Sequence, residues 1–398
     1  MADNHPNPWS ILEPANAADP HAAYRDVRET CPVAHVSDVE QHTVFVLRDE
    51  HVRAVLRDPA TFSSSMDAVH IGQDRPLIPL QLDPPDHARY RRMLDPHFSA
   101  ARMAALEDDI RKLVAELVEP LMTSETCDLH AEFTEPLPST IFVRLMGLPL
   151  EDLPTFLEIK EGIVRPDGDT AEEQNAERAR AGAAMYEYFG EAIEHRRRHP
   201  DDGLFSALIT SEIDGRPVTN EEMLDISFLM ILAGLDTVTA TLDCSFAYLA
   251  RHADRRRAIV ERPEIISSAV EELLRHQTPV QVVLRIVREA GEIGGVEIAP
   301  GDSVAVVLGA ANTDPRGFHD PEIADFERQP NRHLAFGSGP HRCLGSHLAR
   351  LELRVALEEF HRRIPDYELE AGTELEFSVG VRQATALPLR IRAAAPVV

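Results

Sequence analysis

The sequence predicts a mainly α-helical fold with small β-sheets, an α+β class. Three observations carry this. Long stretches place apolar residues at helical spacing with charges on the off-faces. Strand-like segments are short and fall only early and late in the chain. One long central segment is apolar on nearly every face, as a helix running through a core must be.

The elements follow in order. "HTVFVLR" alternates as an early strand, and "DEHVRAVLRD" is the first clear amphipathic helix. In "LDPPDHARYRRML" (82–94) the two prolines stop any preceding element and a helix starts near Asp86. It places His87 and Arg91 on one face (i, i+4) and Arg89 and Arg92 on another. "SAARMAALEDDIRKLVAELVEPLM" reads as one helix and "AERARAGAAMYEYFGEAIEHRRR" as another. A capping box of Thr219 and Glu222 opens "NEEMLDISFLMILAGLDTVTATLDCSFAYLARH", striped by Leu224, Phe228, Ile231, Leu235, Leu242 and Leu249. Strands "LRIVRE", "GGVEIA" and "DSVAVVL" lie between 284 and 308, and "ALPLRIR" ends the sheet material.

At 398 residues the chain can bury a large core, and length alone suggests two or three domains. No linker, repeat or low-complexity tract divides it, so residues 1–398 read as a single domain. The net charge of −27, with a pI near 5, disfavours nucleic acid and anionic membrane surfaces as partners. The N-terminus lacks a basic start followed by an apolar run, so neither a signal peptide nor an anchor is expected. The longest apolar run, around "FLMILAGL", is about ten residues, short of the roughly twenty that span a bilayer. Cys31, Cys127, Cys244 and Cys343 show no CxxC pair or metal-finger spacing, which fits reduced thiols and a cytoplasmic location.

Two motifs concentrate chemistry. "FGSGPHRCLG" (336–345) surrounds Cys343 with three of the chain's twenty glycines, a histidine and an arginine. A buried structural thiol is one reading. A nucleophile with His341 as base is another, though i−2 neighbours in an extended loop point apart. A metal ligand is the third, and it suits a cofactor such as haem, which needs only one axial thiolate from the protein. Gly337, Gly339 and Gly345 would let the loop lie close to a flat macrocycle, and its amides would donate to the sulfur. The second motif, "AGLDT" (233–237), sets an Asp236–Thr237 pair beside Gly234 in the driest part of the chain. It is either a structural network or a functional one.

Together these residues resemble the cytochrome P-450 haem-thiolate monooxygenases. "FGSGPHRCLG" is similar to the family's haem-binding signature, "AGLDT" to its oxygen-activating motif, and "EELLR" supplies its Glu-x-x-Arg pair, with "ANTDP" and "HLAFG" between them. The resemblance covers essentially the whole chain. It looks like the soluble bacterial members, and somewhat like the camphor hydroxylase branch. It implies haem b between the long central helix and the Cys loop, with Cys343 as axial thiolate and metal ligand. His87, Arg91, Arg285 and His341 would hold the propionates. Asp236 and Thr237 would deliver protons to O₂ as the catalytic pair. Glu272, Arg275 and Arg328 would form a structural triad; without the family, Glu272 and Arg275 read as a common surface pair.

The resemblance also implies an oxidoreductase that hydroxylates a small hydrophobic substrate, with electrons from NAD(P)H through a ferredoxin reductase and a ferredoxin. Six arginines against three glutamates in 332–363, joined by Arg89 and Arg92, predict a basic docking patch for the ferredoxin. The substrate pocket is expected at Leu229, Leu232, Ala233, Val282, Val283 and Val381, with His70 or Gln73 as a polar contact.

Overall fold

The computed structural model describes residues 7–37 and 42–392, so the first six residues of the N-terminal stretch lie outside it. The longer helices are α1 (His21–Thr30), α2 (Asp49–Arg57), α3 (Asp86–Leu94), α4 (Glu107–Leu121), α5 (Pro136–Met146), α6 (Leu153–Val164), α7 (Ala171–Arg198), α8 (Asn220–Arg251), α9 (Ala253–Glu261), α10 (Ile266–Gln277) and α11 (Ser346–Arg363). The main sheet has strands β1 (Val33–Ser37), β2 (His42–Val46), β3 (Phe62–Ser63), β4 (Val282–Val287) and β5 (Ser303–Val307), in the order β1-β2-β5-β4-β3. Only the β2–β5 pair is parallel. A smaller sheet joins Thr126–Asp128, Pro388–Ile391 and Tyr367–Leu369. The mainly α fold with small sheets is as expected.

Local chemistry explains the boundaries. Capping boxes open α7 at Thr170 with Glu173 and α8 at Thr219 with Glu222. The stretch 99–122, expected as one helix, is two: Ala100–Ala104 and α4. Glu107, Asp108 and Asp109 sit in the first turn of α4, where carboxylates favour a helix start. Strand β1 escaped the sequence reading.

The α8 core is enclosed by α5, α6, α7 and α11. An 18-residue window of α8 has mean hydropathy 1.6, enough by length and composition to cross a membrane, yet 61% of it is buried within the fold. The count of unbroken apolar residues did not register this, because single polar residues interrupt a helix whose average is hydrophobic.

On the main sheet, successive side chains take opposite faces. Val304 and Val306 join one apolar cluster, while Ala305 and Val307 join another with Tyr24 and Phe45. That alternation decides which β4 residues face the site.

Candidate active site

The loop before α11 turns at Gly337 (φ +67°) and Gly339 (φ +71°). A Cβ at Gly339 would lie 2.3 Å from the Leu56 carbonyl oxygen, so glycine is required there by close approach as well as by φ. Gly345 differs: its φ is −79° and a Cβ there would meet nothing within 4 Å, leaving an open cradle beside the thiol. The Cys343 amide donates to the Phe336 carbonyl at 2.9 Å, and the Gly345 amide reaches the sulfur. Cys343 is accessible, yet enough protein surrounds it that burial pushes the thiol up; the Gly345 amide, Arg91, Arg342 and Arg350 act in the opposite direction. His341 does not pair with it. Its ring instead lies 4.2 Å from that of His87, centroid to centroid.

Around those two rings the structure gathers cations from separate elements. Arg285 on β4 is 8% exposed, its Nη1 donates to the Leu284 carbonyl at 2.7 Å, and burial lowers its pKa to about 10. Arg91 donates to the Arg342 carbonyl and to Asp95, both at 2.7 Å. His341 is pushed down to about 3, by burial first and then by His87, Arg285 and Arg91, and its buried Nε2 has no partner among the described residues. The carboxylate that bears on Arg285, Asp83, is itself occupied by Ser63 and the Ser64 amide. Crowded cationic groups with an orphaned ring nitrogen are unfavourable alone and fit a bound dianion. The haem expected from the resemblance, with two propionates and one axial sulfur ligand, suits this donor set.

Helix α8 is buried along most of its length, but Ala233 is exposed and Leu229, Leu232 and Thr237 are half-buried. The Thr237 hydroxyl donates to the Ala233 carbonyl at 2.9 Å, the back-bond a mid-helix threonine makes. Asp236 is 2% exposed and points the other way. Arg165, at the end of α6, donates from Nη2 to its Oδ1 at 2.8 Å and from Nη1 to its Oδ2 at 3.3 Å. Lys160, fully buried, lies 3.3 Å from the same carboxylate and 2.8 Å from Glu161. Arg165 also holds Glu161 and Gln383. No sequence signal marked either cation. Gly234 is explained by packing: a Cβ would lie 2.3 Å from the Phe142 ring, and α8 stays α-helical through it rather than distorting.

The pocket expectations divide. Val283 and Arg285 share one face of β4, Val283 packing with the Val304–Val306 cluster. Val282 packs on the opposite cluster with Tyr24 and Phe45, so the pleat puts it on the other face of the sheet from Val283. Val381 is half-buried and bridges Val280. Gln73 is not a free polar contact: fully buried, it accepts from the Ile71 amide and donates to Val69 and Gln81, while His70 is exposed.

Glu272 and Arg275 form no surface pair; both side chains have 0% exposure. Glu272 accepts from Arg275 at 2.7 and 2.9 Å, from Arg328 at 3.0 and 3.2 Å, from Asn331 at 3.0 Å and from the Asp325 amide at 2.8 Å. The expected basic patch is largely self-neutralised. Arg350 pairs with Glu271, Arg354 with Glu107 and Glu358, and Arg362 and Arg363 with Glu359. Arg89 and Arg92 pair with Asp214. Arg332 and Arg342 are exposed and have no carboxylate partner among the described residues.

Comparison with known proteins follows the same lines. The family model described as Cytochrome P450 matches residues 1–370. A probable cytochrome P450 127A1 of Sinorhizobium fredii is 35% identical over 370 residues, covering 91% of this chain and 87% of that protein. Mycinamicin IV hydroxylase/epoxidase of Micromonospora griseorubida is also 35% identical, over 90% of this chain and 91% of its own. The structure of CYP109E1 from Bacillus megaterium in complex with testosterone superposes with a TM-score of 0.88 at 28% identity, covering 96% of this chain and 100% of that one.

Proposed function

The chain belongs to the cytochrome P450 family, and from that premise we propose that it hydroxylates a small apolar substrate, with Cys343 as the axial thiolate. The family's cofactor is haem b with thiolate-bound iron, and its chemistry is monooxygenation. When bound, that group supplies the activation of O₂. The observation that carries the assignment is the pairing of one accessible thiol, with an amide on its sulfur, with a cluster of basic groups from separate elements around the orphaned His341 Nε2, which suits a dianion.

His87, Arg91, Arg285 and His341 bind and orient the propionates in this reading. Thr237 offers a hydroxyl that can exchange its Ala233 bond for one to a ligand. Asp236 passes protons inward from the Arg165–Lys160–Glu161 cluster. Glu272, Arg275 and Arg328 hold the loop ahead of Cys343. Leu229, Leu232, Ala233, Val283 and Val381 offer an apolar lining without an anchoring charge, and the testosterone held by a structural relative supports a substrate of that character.

Electrons come from NAD(P)H through a ferredoxin reductase and a ferredoxin, the ferredoxin meeting Arg332 and Arg342, and the protein works in the cytoplasm as one unit. Reconstitution with an iron–sulfur ferredoxin and its reductase, while titrating apolar compounds for a spectral shift, tests the whole reading. Substrate-dependent product supports it, and NAD(P)H-independent turnover would refute the electron route.

A further inference from the structure

We propose that Glu271 is a positioning residue for the thiol loop, acting through Arg350 and His333; the inference rests on Cys343 being the axial thiolate. Glu271 and Glu272 are neighbours on α10, so their side chains leave the helix about 100° apart. Glu272 gathers the segment 319–331. Glu271 serves a different one.

Arg350, on α11, grips Glu271 with two prongs, Nε to Oε1 at 2.7 Å and Nη2 to Oε2 at 2.9 Å. So held, its guanidinium lies over the Phe336 ring, 4.4 Å from the centroid. His333 Nε2 meets the same carboxylate at 3.0 Å. Its Nδ1 accepts the Ala335 amide at 3.2 Å, so the proton is on Nε2 and the ring donates to Glu271. Phe336 in turn accepts the Cys343 amide. One carboxylate thus fixes both ends of the short path 333–336 and, through Phe336, the backbone of the cysteine.

Charge adds a second effect. Three cations surround the cysteine: Arg342 adjoins it in the chain, Arg91 donates to the Arg342 carbonyl, and Arg350 covers Phe336, whose carbonyl accepts the Cys343 amide. Arg342 has no carboxylate partner among the described residues, Arg91 has the exposed Asp95, and Arg350 has Glu271. Glu271 is therefore the counter-charge that sets how much of the Arg350 field reaches the thiolate. Mutual orientation of a bidentate pair over an aromatic face cannot be reproduced by lysine or by glutamine.

The test uses the full-length haem-loaded protein and the variants Glu271→Gln, Arg350→Met and the two combined. Midpoint potential and the fraction showing the thiolate band with carbon monoxide are read together. The potential is expected to rise in Glu271→Gln, fall in Arg350→Met and return towards the parent value in the double variant. Unchanged potentials and bands in both single variants overturn the proposal. A parent protein lacking the thiolate band would instead overturn the assignment of Cys343. Should Glu271→Gln fail to take up haem, Arg350→Lys keeps the charge and loses the flat contact. Faster amide exchange over 333–343 with 319–331 unchanged is then expected, and equal exchange in both segments overturns the idea.

Discussion

Arg165 and Asp236 meet at 2.8 Å inside the fold, joining the end of α6 to the middle of α8. The carboxylate next to the only hydroxyl on the exposed turn of α8 is thereby tied to an arginine that reaches partly to solvent, with Lys160 buried beside it. A proton donor that must be replenished from outside needs such a connection. Asp236→Asn keeps the shape and removes the ionisable carboxyl group. Turnover should fall about 100-fold, the low end for loss of a general acid–base group, while the spectral response to substrate persists. Steady-state rates and a binding titration separate these; equal turnover would remove Asp236 from the relay.

Thr237→Ala removes the hydroxyl that now rests on Ala233. Consumption of NAD(P)H should continue with little product, and Thr237→Ser should restore most of the yield. The ratio of product to NAD(P)H oxidised is the measurement. A haem protein that only senses a ligand would show no such dependence.

Gly234→Ala should destabilise the fold by about 1–3 kcal/mol, the cost of overpacking, because the new methyl would meet the Phe142 ring. Phe142→Leu in the same chain should recover part of the loss. Thermal unfolding of the two variants checks it, and additivity of their effects would speak against the contact.

Acid should weaken the fold before the carboxylates titrate. Burial holds His361 down to about 4 and His276 to about 2. The unfolded chain takes up these protons below about pH 6.5 and the folded chain does not, so stability falls as pH drops through that value. Each costs on the order of 1.4 kcal/mol per pH unit, His361 down to about pH 4. His130, raised by its bond to Asp243 and stabilising when protonated, opposes part of the loss. Urea unfolding between pH 6.5 and 4.5 should show the slope, and His361→Gln should flatten it.

Much of the fold was legible because periodicity and capping are local. Thr219 with Glu222 announced α8, and the glycine spacing around Cys343 announced a tight loop. Sets assembled across the chain were less so. His87 and His341 are 254 positions apart and became a pair only through family resemblance, whereas Arg165, Lys160 and Glu271 matched no motif. The basic patch misled because the count of charges within 332–363 left out Glu271 and Glu107, which come from other helices. Val282 and Val283 misled for a simpler reason: adjacent strand residues cannot face one cavity.

The most direct test of the central claim is the absorption spectrum of the dithionite-reduced, haem-loaded protein with and without carbon monoxide. A strongly red-shifted Soret band, lost in Cys343→Ala, is the predicted result. A band at the ordinary haem position in the parent protein would contradict it, because a neutral thiol or a histidine would then hold the iron.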